Sequence, residues 1–402
     1  MPLKANNRVL IAGAGPVGLV AANCLADAGV PVTVFEAEPA LPENLRASTF
    51  HPPTLDMLSC FGATERLLKM GRRSPRLQYR DRAGWVVDFD MGLIADRTAH
   101  PFRLQCEQYK LNHVLAERLA LFPHARIEFS SALVGVEQSV DLVYALIEED
   151  GGARREGGAW LIGTDGGRSR VREALGIPLE GFTWPERFLF TSTPFNFADA
   201  IPDLCDVSYF ADPDEWYFLL RVPDVWRALF PIRAEERDEE ILSEEGLQRR
   251  LQRVWTKAQR YEIVHRTIYS VHQRVAARYR EGRAFLAGDA AHLNNPLGGM
   301  GMNGGIHDAF NLAEKLIRVI RGDASAEELD RYERQRRPIA LEYVNTITIE
   351  NKRNLETRDP VRQREWRAQL TRIAGDQAAA RKYLLRSSMI ESLNKASALQ
   401  RT

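Results

Sequence analysis

The stretch VLIAGAGPVGLVAANCLADAGVPVTVFE, residues 9–36, restricts the fold more than any other part of the chain. It contains an apolar strand pattern, a glycine turn, an apolar helix pattern and a second strand pattern. Gly13, Gly15 and Gly18 have the spacing G-x-G-x-x-G, and Glu36 follows the last glycine by eighteen residues. This order predicts two parallel strands joined by a helix, which is the first crossover of a Rossmann-like α/β fold.

Each residue of this pattern has a physical role in binding a dinucleotide. The first glycine permits the tight turn, the second lets backbone approach a pyrophosphate, and the third lets the helix pack on the strand. The free N–H groups and the positive dipole end of the helix attract phosphate. Glu36 favours an adenosine ribose with a free 2′-hydroxyl, so FAD or NAD fits the site. An unliganded α/β turn is the alternative interpretation.

A second glycine-rich stretch, GDAAHLNNPLGGMGMNGG, follows a short buried strand pattern. The strand pattern ends near Asp289, and a carboxylate suits the hydroxyls of a ribityl chain or a ribose. The loop from Pro296 to Gly301 leads into a helix pattern, and such a glycine cluster indicates backbone close to something other than protein. We expect the backbone N–H groups of Gly301, Met302 and Asn303 to bind the N1 and C2 oxygen edge of a flavin and to stabilise the reduced ring.

Three segments, in this order, resemble the single-component, class A flavoprotein monooxygenases of the para-hydroxybenzoate hydroxylase type. They are the N-terminal turn with the following RASTFHPPTLDML, then LIGTDGGRSRVREALGI, then FLAGDAAHLNNPLGGMGMNGGIHDAFNLAEKL. The resemblance extends over most of residues 8–340. It implies that Arg46, Gln108 and Asp165 lie near the FAD, and that Asp289 holds the ribityl chain.

The resemblance also implies the architecture. It is an α/β fold, with a Rossmann-like FAD-binding domain, an inserted mixed β-sheet that forms the substrate domain, and C-terminal helices. We assign residues 1–75, 104–180 and 268–345 to the FAD-binding domain, 76–103 and 181–267 to the substrate domain, and 346–402 to the C-terminal helical segment. RLQYRDRAGWVVDFD has the pattern of a hairpin, and RFLFTSTP, DVSYFAD, EWYFLLRVP and VWRALFPIR predict further strands of the inserted sheet. Trp216, Phe218 and Trp226 fit either the wall of an aromatic-substrate pocket or ordinary core packing.

The implied reaction is the NAD(P)H-consuming hydroxylation of a phenolic or heteroaromatic small molecule. NADH or NADPH, as a transient cosubstrate, reduces FAD, and O2 then forms a flavin C4a-hydroperoxide that attacks the ring. His51 is the candidate for the base that draws the phenolic proton, and a structural histidine is the alternative. An FAD-dependent reductase of the prenyl-chain type and a non-enzymatic carrier of the GDP-dissociation-inhibitor type share the fold. The intact glycine, Glu36 and Asp289 set argues against the carrier.

The amino-acid composition limits which kinds of molecule the protein can bind. The 402 residues contain 54 Lys plus Arg and 54 Asp plus Glu, so no net charge attracts nucleic acid. We expect a small aromatic substrate and O2 as partners, and no metal site. Glycines and a proline interrupt the uncharged residues 9–26, so no transmembrane segment is expected. The four cysteines have no paired spacing, which indicates a cytoplasmic protein. The sequence leaves the choice between a monomer and a homodimer open.

Overall fold

The structure is a computed structural model that describes residues 7–43, 45, 47–149, 152–212 and 215–399. The strands are β1 (Val9–Ala12), β2 (Val32–Phe35), β3 (Thr49–Phe50), β4 (Arg72–Ser74), β5 (Arg76–Arg80), β6 (Val86–Asp90), β7 (Arg103–Gln105), β8 (Ala125–Glu128), β9 (Leu133–Gln138), β10 (Val143–Glu149), β11 (Gly152–Gly158), β12 (Trp160–Gly163), β13 (Leu179–Thr193), β14 (Val207–Phe210), β15 (Tyr217–Arg221), β16 (Trp226–Ile232), β17 (His265–Ala276), β18 (Arg280–Glu281), β19 (Ala284–Leu286) and β20 (His292–Leu293).

The α-helices are α1 (Pro16–Asp27), α2 (Pro52–Leu58), α3 (Ala63–Met70), α4 (Gln108–Leu119), α5 (Arg170–Ala174), α6 (Phe197–Ala200), α7 (Asp238–Ile241), α8 (Glu244–Val254), α9 (Gly301–Arg321), α10 (Asp330–Pro338), α11 (Asn345–Glu356), α12 (Pro360–Gly375), α13 (Gln377–Ser387) and α14 (Ile390–Ala398). A π-helix at Ile339–Val344 joins α10 to α11. None of the helices in the described ranges is both long enough and apolar enough to cross a bilayer.

The N-terminal crossover builds a six-stranded sheet in the order β18-β19-β12-β1-β2-β8. Strands β19, β12, β1, β2 and β8 run parallel, and only the edge strand β18 pairs antiparallel. Parallel strands that are covered on both faces have continuous apolar sequences, and every residue of β1 is apolar and buried. Helix α1 begins at Pro16, directly after the predicted glycine turn. The Rossmann-like crossover is thus confirmed.

The inserted sheet has eight strands in the order β20-β17-β13-β16-β15-β14-β5-β6. All its pairs are antiparallel except β14 with β5, so the predicted mixed sheet is confirmed. The predicted hairpin is β5 and β6, which pair from Arg76 with Asp90 to Arg80 with Val86. Strand β13 begins at Leu179, after α5, and β17 ends at Ala276, before β18 and β19, so these two long strands connect this sheet to the six-stranded sheet.

The two faces of the inserted sheet bury different aromatic clusters. One face carries Tyr209, Phe190 and Phe218, and the C-terminal helices α12 and α13 pack against it through Leu370 and Leu384. The other face holds a separate core that is closed by α8.

The two faces separate the aromatic residues that the sequence grouped together. Trp226 belongs to the core under α8, where its indole Nε1 donates to Asn196 Oδ1 at 2.9 Å. Phe218 instead lies on the opposite face, in van der Waals range of Tyr209, with ring centroids 5.5 Å apart. Trp226 therefore has a core role, because successive side chains of a strand point to opposite faces and the sequence pattern alone did not fix the face of β16.

A buried cluster of charged and polar side chains joins α9, α10 and the second glycine-rich stretch. Asp308 on α9 accepts from Arg336 Nε at 2.6 Å and from His292 Nε2 at 2.7 Å. Burial by itself would raise the pKa of Asp308, but the charges of Arg336 and His292 lower it from 3.8 to about 2. Because the pKa of Asp308 is lower in the folded state, its carboxylate stabilises the fold at pH values above the usual pKa of 3.8. This contribution to stability is lost as the pH falls towards about 2.

We expect Asp308→Asn to lower the free energy of unfolding by about 3 kcal/mol at pH 7, because it leaves the buried Arg336 guanidinium without its counter-ion. Urea unfolding at pH 7 measures this change. The matched control is Glu173→Gln, which removes a carboxylate from the exposed pair with Arg170 and should leave the midpoint unchanged. Equal effects of the two substitutions would contradict the assignment.

Candidate active site

Two glycines of the N-terminal turn are required by close packing. Gly13 has φ +96°, and a Cβ at this position would lie 2.7 Å from the backbone oxygen of Thr164. A Cβ at Gly18 would lie 2.1 Å from the oxygen of Gly13, so any larger residue would push α1 away from β1. Thr164 closes the turn by donating its hydroxyl to Ala12 O at 2.7 Å.

Gly15 differs from Gly13 and Gly18 because a Cβ there would meet no atom of the described residues within 4 Å. Its φ of −71° is open to any residue, so conformation does not require glycine at this position. The adjoining N-terminus of α1 carries no side-chain cap. Uncapped N–H groups beside open space are the arrangement that binds a pyrophosphate, so these residues fit FAD.

Glu36 lies next to the same turn. Its Oε2 accepts from Ala14 N at 2.7 Å, and its Oε1 accepts from Glu38 N at 3.1 Å. A carboxylate can accept about four hydrogen bonds, so each oxygen keeps a lone pair after these contacts. Glu36 is thus oriented by backbone and still able to accept from ribose hydroxyls.

The second glycine-rich stretch packs directly on the first. Gly288 has φ +61°, and a Cβ there would lie 2.8 Å from Val17 Cγ2. A Cβ at Gly305 would lie 2.7 Å from the same methyl carbon. Asp289 is exposed in the short turn Gly288–Ala290, and it directly follows Gly288, which approaches Val17 in the first turn of α1. The two segments predicted to bind one cofactor are therefore adjacent in space.

The loop from Pro296 to Met300 ends at an uncapped helix terminus. Gly299 N donates to Pro296 O at 2.9 Å, and Gly298 and Gly299 have φ +103° and +67°. Helix α9 then begins at Gly301 without a side-chain cap, which leaves the N–H groups of its first turn directed out of the helix. This terminus includes Gly301, Met302 and Asn303, and their contact with the flavin stays a prediction.

The Asn303 side chain has a structural function that the sequence did not indicate. It accepts from His51 N at 2.9 Å and donates to Thr49 O at 2.8 Å and Gly299 O at 2.7 Å. Its amide thereby joins β3 to the glycine loop. Only its backbone N–H remains for the predicted contact with the flavin.

Asp165 lies before α5 and is hydrogen-bonded to the start of that helix. Its Oδ1 accepts from Ser169 Oγ at 2.5 Å, and its Oδ2 accepts from the backbone N–H groups of Arg170 and Val171 at 2.7 and 3.1 Å. Asp165 thus orders the start of α5. From the same helix, Arg172 donates to Ala290 O and Gly167 O, both at 2.9 Å, and so ties this segment to the segment that carries Asp289. Direct contact of Asp165 with FAD stays a prediction.

The remaining two predicted FAD contacts, Gln108 and Arg46, also stay predictions. Gln108 is the first residue of α4, and its backbone N–H donates to Ala47 O at 2.9 Å. The side chain is half-buried at that helix start. Arg46 lies outside the described residues, so its predicted place near the cofactor stays a prediction.

His51 is fully buried between β3 and α2. Its Nε2 lies 2.8 Å from the carbonyl oxygen of Gly298, which only accepts, so Nε2 carries the proton and Nδ1 has the lone pair. Burial and then the charge of Arg103 hold the pKa of His51 well below its usual range. The ring is therefore neutral, and a weak base.

The aromatic wall, defined here as Tyr79, Tyr209, Tyr383 and Phe218, begins next to this loop. Tyr209 Oη accepts from Gly298 N at 3.2 Å, and the rings of Tyr79 and Tyr209 stack with centroids 5.2 Å apart. The hydroxyls of Tyr79 and Tyr383 are 2.9 Å apart, although 304 residues separate them. Of these residues only Phe218 was a candidate from sequence, because no local pattern reports a contact between β5 and α13.

The parallel crossover, the uncapped N-termini of α1 and α9 and the carboxylates beside them define an FAD-binding flavoprotein. The family model described as "FAD binding domain" matches residues 6–346, and the chain belongs to that family.

The relatives are aromatic monooxygenases. The chain is 34% identical over 385 residues to para-nitrophenol 4-monooxygenase of Pseudomonas sp. (strain WBC-3), covering 94% of both chains. It is 33% identical to 6-hydroxy-3-succinoylpyridine 3-monooxygenase HspB of Pseudomonas putida (strain DSM 28022 / S16), covering 89% of this chain and 91% of that one. The crystal structure of p-nitrophenol 4-monooxygenase PnpA from Pseudomonas putida DLL-E4 superposes with a TM-score of 0.90 and 31% identity, over 96% of this chain and 99% of PnpA.

These findings confirm the fold, the cofactor and the enzyme class expected from the sequence. The protein is an FAD-dependent, NAD(P)H-consuming flavoprotein monooxygenase that hydroxylates a phenolic or heteroaromatic small molecule. The reductase and carrier alternatives find no support among these relatives.

We expect Gly15→Val to raise the Kd for FAD by about tenfold or more, because its side chain would occupy the open space at the N-terminus of α1. Thermal unfolding of the flavin-free protein should be unchanged by this substitution. Gly18→Ala is the contrasting variant, and it should lower the unfolding midpoint because of the 2.1 Å approach to Gly13 O. Flavin titration by fluorescence quenching and thermal unfolding distinguish the two; normal FAD affinity in Gly15→Val would contradict the pyrophosphate assignment.

Proposed function

We propose that the substrate is a phenol with a single ring. The observation that carries this proposal is the match over nearly the whole length of both chains to two enzymes named for single-ring substrates, a nitrophenol and a hydroxypyridine. The aromatic wall supports it, since Tyr209 links the wall directly to the loop at the start of α9. O2 is proposed as the cosubstrate that provides the inserted oxygen.

The wall suits a flat ring. Tyr209 lies within stacking distance of Tyr79 and makes a tilted contact with Phe218. Aromatic faces and edges contact another ring favourably by about 0.5–1.5 kcal/mol beyond the area they bury. Helices α12 and α13 cover the same side of the sheet, which excludes water from the region where the ring would lie.

When bound, FAD supplies the redox chemistry that activates oxygen with electrons from NADH or NADPH. The chain contributes binding, orientation and charge. The N-terminus of α1, Gly15 and Glu36 hold the ADP part, and Asp289 holds the ribityl chain. The first-turn N–H groups of α9 then stabilise negative charge at the edge of the ring, because the positive end of a helix dipole acts at short range.

We assign His51 to positioning the glycine loop. Its Nε2–H donates to Gly298 O, and its backbone N–H donates to Asn303 Oδ1, so one residue fixes both ends of the loop. A pKa far below the usual range makes its Nδ1 a hydrogen-bond acceptor that stays unprotonated at neutral pH. The interpretation of His51 as the base that removes the phenolic proton is thereby weakened.

The cellular setting is also part of the proposal. Cys24, Cys60, Cys106 and Cys205 are all free thiols in the structure, which is typical of a reducing compartment. We therefore propose a cytoplasmic enzyme, and we retain the homodimer as a form to be tested by sedimentation.

The proposed function predicts phenol-stimulated oxidation of NADH or NADPH by the FAD-loaded protein. The panel is phenol, 4-nitrophenol, 4-methylphenol and 3-hydroxypyridine, with nitrobenzene as the control that lacks a hydroxyl group. We expect faster coenzyme oxidation and a ring-hydroxylated product, measured by chromatography, for at least one single-ring phenol. Coenzyme oxidation without hydroxylated product from any phenol of the panel would refute the proposal.

The assignment of His51 predicts different results for two substitutions. His51→Gln keeps a donor for Gly298 O and should retain kcat within about tenfold, whereas loss of a general base costs roughly 10²–10⁴-fold. His51→Ala removes the donor and should lower both kcat and FAD affinity. Between about pH 6 and 8, the pH profiles of kcat/KM should have the same shape in the wild type and in His51→Gln. A loss above about 100-fold in His51→Gln with normal FAD binding would restore the base.

A further inference from the structure

Two buried donors that have no hydrogen-bond partner among the described residues lie on one face of the small sheet β3-β7-β4. They are Nε of Arg103 and Nε2 of Gln105, both in β7. Thr49 pairs with Gln105 and Phe50 with Leu104, so the extended His51 lies opposite Arg103. Residues directly opposite in an antiparallel pair share a face. Nδ1 of His51 is also unpartnered among the described residues, and it can accept from only one of these two donors. Since almost all buried polar groups are hydrogen-bonded, the other donor indicates a missing acceptor.

This face is turned towards the glycine loop. Thr49 Oγ1 donates to Gln105 Oε1 at 2.8 Å, which leaves the Gln105 amide nitrogen as the orphan. A Cβ at Gly299 would lie 3.1 Å from Thr49 Cβ, and His51 bonds Gly298. The donors therefore lie beside the same loop that bonds Tyr209 of the aromatic wall.

The charge of Arg103 has no counter-ion among the residues that the structure describes. Its side chain is only 4% exposed, and the only hydrogen bond it makes there is a long one of 3.5 Å from Nη2 to the carbonyl of Ser387. The titratable groups that sense its charge are neutral: burial raises the pKa of Tyr79 and of Tyr383, and burial lowers the pKa of His51. An isolated buried cation is costly, so a site of this kind favours an anionic ligand.

We propose that Arg103 and Gln105 bind the ionised oxygen of the substrate, which therefore occupies the site as a phenolate. The inference rests on the proposed function, because it concerns the same ring. The phenol gives its proton to water, and its oxygen accepts charge-assisted hydrogen bonds from the guanidinium and the amide. A negative oxygen raises the electron density of the ring, so Arg103 prepares the substrate for attack without a proton-accepting side chain.

The test compares binding of 4-nitrophenol to the FAD-loaded protein by equilibrium dialysis from about pH 5 to 9, without coenzyme. Wild type should bind the phenolate more tightly than the phenol. Arg103→Gln should weaken phenolate binding by about tenfold or more and abolish the preference, because a charge-assisted bond is lost. Arg103→Lys should restore part of it. 4-Nitroanisole, the methyl ether that cannot ionise, should bind wild type and Arg103→Gln equally.

Arg73→Gln is the matched control. Arg73 pairs with Leu104 in the same small sheet, so it points to the opposite face, and it is exposed. Its removal takes away one positive charge and should leave the affinity unchanged. Flavin absorbance verifies that each variant retains FAD. The unfolding midpoint of the ligand-free Arg103→Gln protein should equal or exceed that of wild type, since an uncompensated buried charge has been removed.

The outcomes separate this inference from the proposed function. If the phenol panel gives product but Arg103→Gln keeps its affinity for the phenolate, the inference about Arg103 is overturned and the proposed function stands. A buried water would then accept from the two donors. A fall in the unfolding midpoint of Arg103→Gln with unchanged phenolate affinity would make Arg103 structural. Equal weakening of 4-nitroanisole and 4-nitrophenolate by Arg103→Gln would show that the nitro group, rather than the ionised oxygen, is bound. Absence of product from every phenol would instead refute the proposed function.

Discussion

The structure depends on the contact between the N-terminal ends of α1 and α9 around Val17. Gly288 and Gly305 both approach the same Val17 methyl carbon so closely that neither could carry a Cβ without a shift. The N-terminal ends of α1 and α9, both uncapped by side chains, therefore lie close together. Positive helix ends in proximity favour negatively charged groups, and the pyrophosphate and the reduced flavin edge are the groups that we propose for these places.

Uncompensated positive charge extends from the cofactor site to the proposed substrate site. Beside the glycine loop, Arg103 is buried without a carboxylate among the described residues, and His51 is neutral. Such groups cost stability in the ligand-free protein, and functional sites commonly carry this cost. The buried Asp308 cluster and the three hydrogen bonds of Asn303 hold the surrounding backbone in place.

Sequence reasoning succeeded where a short local pattern determines the backbone. The crossover, the hairpin β5–β6 and the predicted strands of the inserted sheet each depend on residues close together in the chain. It was less informative for side-chain roles. Asp165 orders α5, and Asn303 joins β3 to the loop; both roles depend on which donors the fold brings near, and Trp226 lies on the face of its sheet away from the aromatic wall.

The sequence by itself determined the parallel crossover and a dinucleotide site, because glycine spacing and strand periodicity record how closely backbone must approach backbone or phosphate, and the family resemblance of three motifs selected FAD over NAD. Only the tertiary structure decided what surrounds the proposed substrate site. Arg103 stands opposite His51 through strand register, and Tyr79 meets Tyr383 across 304 residues. The physical reason is that the face of a strand and the partner of a helix are set by packing between distant segments, for which a single sequence contains no local signal.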